Sequence, residues 1–350
     1  ENFLLRFIRG QMDYWMEGIP GQAMVDFYVQ SDRSVWLQEL NLTPAQRAEL
    51  RDFLEWNAQP ENRFYRYDYY RDNCSTRVRD AIDQVLGGQL REQTENRSTG
   101  TTYRDHTRAL TIEDPLLYAG LMAGLGPPGD RPISAWEEMF LPMRMRELIR
   151  DVTVRDESGA TVPLVIGEQE IYRSTRDSEQ PIPSGRPLAF LGVGLLLAGV
   201  LAFGGSRIVR NRRGGGLFSL VAMIWCLVAG SIGVTLLGLW AFTDHAVAYR
   251  NENALFLSPF LLMLAFVVPM AVRRRGGRAA RTVGVILGVT VAVLSLTGLI
   301  FQALPAFSQQ NAEIIALATP INLVLAAALV RIWKVRREGD PTLQMRKFLY

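Results

Sequence analysis

Cysteine and histidine are scarce. The 350 residues hold two of each, Cys74 and Cys226, His106 and His245. One cysteine lies in a polar half and the other inside an apolar run, which excludes a disulfide-stapled scaffold. No metal-ligand spacing, phosphate loop or nucleotide fingerprint occurs, so neither a metal nor a cofactor is expected. Acid is scarce in the second half: residues 188–350 carry 5 acidic and 16 basic side chains, net +11. Residues 1–187 carry 30 acidic and 22 basic, net −8. This split excludes a wholly soluble enzyme. It also argues against nucleic acid as a partner, because the basic residues sit between hydrophobic spans rather than on one folded face. Disorder is excluded by the many aromatics of the first half. The chain opens at Glu1 without Met or a signal peptide, and Asn2 to Ile8 reads as folded structure, so further sequence is expected upstream.

What is present is a series of five apolar runs, near 188–203, 217–242, 254–272, 282–304 and 311–333. A helix crosses the hydrocarbon with roughly 20 apolar residues, and a charge at its centre costs about 3 kcal/mol on insertion scales. No run has Asp, Glu, Lys or Arg in its central turns. Five membrane helices are therefore expected. Arg207, Arg210, Arg212 and Arg213 follow the first; Arg273, Arg274, Arg275, Arg278 and Arg281 follow the third. Arg331, Lys334, Arg336, Arg337, Arg346 and Lys347 end or follow the fifth. The other two loops hold Arg250 alone. The positive-inside rule puts the Arg-rich ends in the cytoplasm and the N-terminal half on the opposite, periplasmic face of a bacterial inner membrane.

Residues 1–148 read as mostly helical. Thr43 and Pro44 open one helix, carried by Leu50, Phe53 and Leu54. A second spans 75–87, with Val78, Ile82, Val85 and Leu86 on one face and Gly87-Gly88 closing it. A third spans 134–150. Residues 152–154 and 161–165 read as a strand pair around the turn Asp156 to Gly159. The expected division is an N-terminal domain 1–173, a linker 174–187, a five-helix domain 188–337 and a cytoplasmic tail 338–350.

The densest polar-aromatic cluster is Phe64 to Arg77, which contains Cys74 just before an expected helix. The N–H groups and partial positive charge of a helix N-terminus stabilise negative charge, on a thiolate or on the oxyanion of an acyl transfer. Cys74 is thus either a nucleophile or a structural thiol. A thiol nucleophile needs a base. His106 lies in a polar stretch. His245 lies in a polar loop with Asn251 and Asn253, on the same side of the membrane as Cys74, where it caps the interface or meets a lipid-linked substrate.

Tyr67-x-Tyr69-x-x-x-Asn73-Cys74-Ser75-Thr76-Arg77-x-Arg79-Asp80 resembles the Asn-Cys-x-Thr-Arg-x-Arg-Asp signature of the Lnb-type periplasmic domain. Phe7-Ile8-Arg9-Gly10 with Asp13-Tyr14-Trp15, Thr102-Tyr103-Arg104, and the stretch from Gly129-Asp130 through Trp136 to Pro142 are similar to further parts of it. Asp244-His245, Asn251-x-Asn253 and Pro259 resemble a loop of the Lnb-type transmembrane domain. The resemblance implies an α+β chain: a permuted papain-like (NlpC-like) extracytoplasmic domain followed by an all-α five-helix transmembrane domain. It implies a lipoprotein N-acyltransferase. Phospholipid would be the acyl donor, diacylglyceryl-cysteine lipoproteins the acceptors, and Cys74 the site of the thioester. Asn73, Tyr67, Tyr69, Thr76, Arg77, Tyr103, Arg104, Asn251 and Asn253 would support it. In permuted papain-like folds the partner His precedes the Cys, and this chain has none there. The base is therefore expected upstream of Glu1, or at His106 or His245. The rival readings are a membrane-anchored cysteine hydrolase of a lipid ester, peptide or cell-wall amide, and a non-enzymatic membrane module. A transporter fits poorly, since the spans lack paired charges.

Overall fold

The computed structural model describes Arg6 and residues 9–175, 182–211, 215–273 and 277–338. Phe7 and Ile8, linker residues 176–181, Arg212, Arg213, Arg274, Arg275 and the expected tail beyond Glu338 lie outside the described residues. Two compact units form: Glu1–Ala109 with Arg131–Ile182, and Leu110–Asp130 with Pro183–Tyr350.

The first unit is α+β. Thr43 accepts from Gln46 N–H while the Gln46 side chain accepts from Thr43 N–H, so the expected helix opens on a reciprocal cap and runs Pro44–Asn57. The second expected helix runs Cys74–Val85 and ends before Gly87 and Gly88, which take φ +65° and +86°, values open to glycine. Ile82, Val85 and Leu86 are buried as expected. Val78 is not: it is 53% exposed, and Arg79 turns inward to lie 3.9 Å from the Trp136 ring centre. The third expected helix is interrupted. Ala135–Glu138 and Pro142–Leu148 are separate, because Pro142 lacks an N–H and forces Leu141 into extended backbone.

Helix outweighs strand in the segment 1–148, as expected, but five short strands there were not expected. Strands β1 (Asp13–Trp15), β2 (Val35–Leu40), β3 (Phe64–Arg66), β4 (Ser98–Thr102) and β5 (Pro132–Ser134) lie within it. β6 (Thr153–Arg155) and β7 (Thr161–Pro163) are the expected pair. Asp156 caps their turn by accepting from Ser158 and Ala160 N–H. β8 (Val165–Tyr172) completes the set. Pairing is antiparallel and two by two: β1 with β3, β2 with β8, β4 with β5, β6 with β7. Leu42, Leu86, Leu90, Met139, Leu148 and Leu164 form the centre of the core.

The second unit holds five helices long and apolar enough to cross a membrane. They lie at Pro187–Arg210, Gly215–Phe242, Glu252–Val272, Arg278–Phe301 and Ala312–Arg337, matching the five apolar runs; the third opens on the short 3₁₀ turn Glu252–Leu255 ahead of the helix Phe260–Val272. Leu201, Phe218, Leu261, Leu264, Ile321 and Leu325 are its buried centre. One polar knot stabilises it. Asn322 accepts from Trp225 Nε1 at 3.0 Å and donates to Phe256 O at 2.8 Å and Ser295 Oγ at 3.0 Å. The short apolar helix Pro115–Gly124 packs into this unit rather than the first.

Candidate active site

Cys74 is the first residue of its helix, and it is exposed. The residues before it are rigid. Asp68 and Asp72 exchange backbone hydrogen bonds at 2.9 and 3.0 Å, and Asp68 Oδ1 accepts from Tyr70 and Arg71 N–H, both at 2.9 Å. The Asp72 carboxylate is engaged by Arg77 in two bonds of 2.5 Å. Arg77 also lies 4.5 Å from the Tyr65 ring centre.

Asn73 is buried and uses its whole side chain. Oδ1 accepts from Ser75 and Thr76 N–H, and Nδ2 donates to Tyr69 O and Phe140 O, all four at 2.9 Å. Asn73 N–H donates to Thr76 Oγ1 at 2.7 Å, and Asn73 O accepts from Arg77 N–H at 3.0 Å. Four N–H groups of a helix start lack intrahelical acceptors. Here Asn73 Oδ1 satisfies those of Ser75 and Thr76 and Thr76 Oγ1 satisfies that of Asn73, while Arg77 N–H makes the first intrahelical bond, to Asn73 O. Among the described residues, the N–H of Cys74 itself makes no hydrogen bond. The expected oxyanion-binding capacity thus narrows to one donor, on the same residue as the sulfur.

Tyr65, Tyr67 and Tyr69 lie close enough to Cys74 to feel its charge. β1–β3 pairing sets Tyr14 opposite Tyr65, and Tyr14 stacks on Tyr67 with ring centres 4.2 Å apart. Burial, and next the charge at Cys74, push the Tyr67 phenol up to about 12. The same two causes raise Tyr65 and Tyr69. All three phenols are therefore neutral donors at ordinary pH.

His106 is buried. Its Nε2 lies 2.8 Å from Glu138 Oε1 and 3.2 Å from Thr101 Oγ1, and its ring meets Phe140 edge-on at 5.8 Å. The other Glu138 oxygen accepts from Arg144 at 2.7 Å. Burial alone would raise Glu138, but hydrogen bonds from His106, Arg144 and Thr101 hold it near about 2. Among the described residues, no hydrogen bond joins His106 to Cys74. Tyr103 and Arg104 follow β4 and are fully buried. Tyr103, Tyr70 and Phe140 pack ring against ring within 5.4 Å, under the Asn73–Phe140 contact. Sequence reasoning did not assign roles to Glu138, Phe140 or Thr101. The Ser134-x-x-Glu137 capping box was the available sign that a helix opens here and carries Glu138.

The other site candidates belong to the second unit. His245 precedes a short 3₁₀ turn at Ala246–Ala248. Asn251 Nδ2 donates to Ala123 O and Gly124 O at 2.9 Å, and Asn253 Nδ2 donates to Ala123 O at 3.0 Å. Gln309 Nε2 donates to Leu125 O at 2.9 Å and Asn251 Oδ1 at 3.1 Å. These amides satisfy the last carbonyls of helix Pro115–Gly124, which otherwise lack partners.

Two family models match the sequence. The Lnb N-terminal periplasmic domain matches residues 1–109, and the Lnb transmembrane domain matches residues 186–328. The first match ends where the first segment of the α+β unit ends. No curated protein and no solved structure matches.

Proposed function

The chain belongs to the Lnb family, an integral membrane protein with a periplasmic N-terminal domain, and from that premise we propose a thiol acyltransferase of lipoprotein maturation. The acyl chain comes from a membrane phospholipid and goes to the N-terminal amine of a diacylglyceryl-cysteine lipoprotein. The observation that carries this reading is Cys74, an exposed thiol on the first residue of a helix whose next three N–H groups are already occupied. The Cys74 thiolate attacks the ester carbonyl. The C–O bond breaks, the lysophospholipid alkoxide leaves and takes up the proton that the Cys74 thiol released on ionising, and a thioester forms on Sγ. The lipoprotein amine then attacks the thioester, the C–S bond breaks, and the thiol is restored. The Cys74 N–H is placed to hold the oxyanion of both tetrahedral intermediates. The phenols of Tyr67 and Tyr69 line the approach.

In this reading His106 is a positioning residue. It braces Phe140, whose carbonyl holds Asn73, and Asn73 sets the helix start that presents Cys74. The papain-like ancestry that the resemblance implies is supported by a helix that opens on the nucleophile. The five apolar helices fit a reaction whose two substrates both carry acyl chains, since membrane anchoring raises their local concentration.

The test is the intact mass of a diacylated lipopeptide incubated with phospholipid and the full-length protein, wild type against Cys74→Ala. A gain of one acyl chain that the variant lacks is the expected result. Free fatty acid released in a Cys74-dependent manner, without that gain, assigns a hydrolase instead. Equal products from both proteins remove Cys74 from the chemistry.

A further inference from the structure

A cavity of about 340 Å³ opens in the α+β unit beside the turn that leads into Cys74. Its walls are aromatic and cationic. Trp136 has Arg79 at 3.9 Å and Arg91 at 5.4 Å from its ring centre, and Arg131 lies 5.6 Å from the Tyr103 ring. Two of the lining guanidinium groups are matched, Arg79 by Asp80 at 2.7 Å and Arg91 by Glu95 at 2.6 Å, and the lining carboxylate of Glu137 is held by Arg131, which is not itself part of the lining.

Arg71 also lines the cavity and is not matched. The nearest acids in sequence are already engaged. Asp68 accepts backbone N–H groups, including that of Arg71, and Asp72 is bound to Arg77. Among the described residues the Arg71 guanidinium forms no ion pair or hydrogen bond. Its charge is felt by Tyr103 and Glu137 on the cavity wall. A fork of five donors on a rigid turn, facing a cavity with one surplus positive charge, suits an oxyanion bound by two parallel hydrogen bonds. The volume sits at the lower end of ligand pockets, roughly 300–1,000 Å³, enough for a headgroup but not for acyl chains.

We propose that this cavity binds a phosphate ester through Arg71, and that in the membrane this ester is the headgroup phosphate of the lipid donor. The second half of that statement rests on the acyl-transfer reading, whereas phosphate-ester binding does not. Glycerol phosphate and a phospholipid headgroup share the chemistry, so the test uses both.

Full-length protein carrying Cys74→Ala, which cannot turn over, is titrated in phosphate-free detergent by calorimetry. The two titrants are glycerol 3-phosphate and a water-soluble short-chain phosphatidylglycerol. Arg71→Gln is expected to weaken binding of both by about tenfold, the equivalent of one charge-assisted contact. Arg71→Lys is expected to recover part of the loss. Arg51→Gln, at an exposed ion pair far along the chain, is expected to change nothing. Equal affinity in Arg71→Gln and Arg51→Gln overturns the site. Binding of glycerol 3-phosphate with exclusion of the short-chain lipid overturns the lipid-headgroup assignment. Arg71-dependent binding of the lipid in a protein whose wild type shows no acyl transfer supports the phosphate site and counts against the transferase.

Discussion

At the scale of single residues, Asn73 and Cys74 stand side by side with opposite dependencies. The Cys74 side chain is exposed and, among the described residues, makes no hydrogen bond, so Cys74→Ala is expected to leave the melting temperature unchanged. It should lower turnover about a thousandfold or more, as loss of a nucleophile does. Asn73→Ala removes four side-chain hydrogen bonds from a buried site and leaves the Phe140 carbonyl without its donor. The expected cost is about 2–3 kcal/mol, a lost helix cap plus orphaned buried groups, read as a lower melting temperature together with lower activity. Glu138 carries a pH signature. Its folded carboxyl is held near about 2 against an ordinary 4.5. It therefore stabilises fully above pH 4.5, and the contribution is lost as pH falls from 4.5 toward 2. Melting temperature measured across that range should fall less steeply in Glu138→Gln than in wild type; parallel curves would remove Glu138 as the source. Asn73 and Cys74 were legible in the sequence because a cap and its helix are adjacent. Glu138 was not, because its partner His106 lies 32 residues away and no local pattern links them.

At the scale of elements, the apolar runs were legible because each satisfies its backbone internally and declares itself by length. The Cys74 helix was legible too, apart from the facing of Val78, where a cationic side chain stacked on Trp136 displaced an aliphatic one from the inward position. The β2–β8 pair was invisible. Its register joins Trp36 to Glu170 across most of the unit, and its side chains show no clean alternation. Order along the chain puts helix Pro115–Gly124 before the linker and so within the expected domain 1–173, whereas it packs with the second unit; the amides of Asn251 and Asn253 that bind its end come from far downstream. Within the membrane unit, two helices meet through glycine. A Cβ on Gly233 would overlap the Leu257 carbonyl, and one on Gly230 would overlap the backbone of Leu262, whereas Gly238 faces open space. Gly233→Ala is thus expected to separate Gly215–Phe242 from Phe260–Val272 and to lower thermal stability in detergent sharply, with Gly238→Ala neutral. Equal melting of the two variants would contradict close packing at this crossing.

At the scale of the whole molecule, the number of spans and the charge pattern constrain each other. If all five of these helices among the described residues cross, the residue before the first and the residue after the fifth face opposite sides of the membrane, whatever the direction. Charge then selects the direction. Among the described residues Arg207, Arg210, Arg273, Arg278, Arg281, Arg331, Lys334, Arg336 and Arg337 lie at the same three helix ends or turns, against Arg186 and Arg250 at the opposite ends of the spans. On the positive-inside rule each of these basic residues adds to the same bias, so the expected direction does not hang on any one of them. The periplasmic N-terminal domain agrees with this direction by parity. A C-terminal fluorescent reporter that matures only in the cytoplasm is therefore expected to be bright, and a C-terminal phosphatase that needs the periplasm is expected to be inactive. The phosphatase should become active when fused within loop 243–253. The reverse pattern would put Cys74 in the cytoplasm, away from the face on which a lipoprotein amine is presented, and the acyl-transfer reading would fall with the topology.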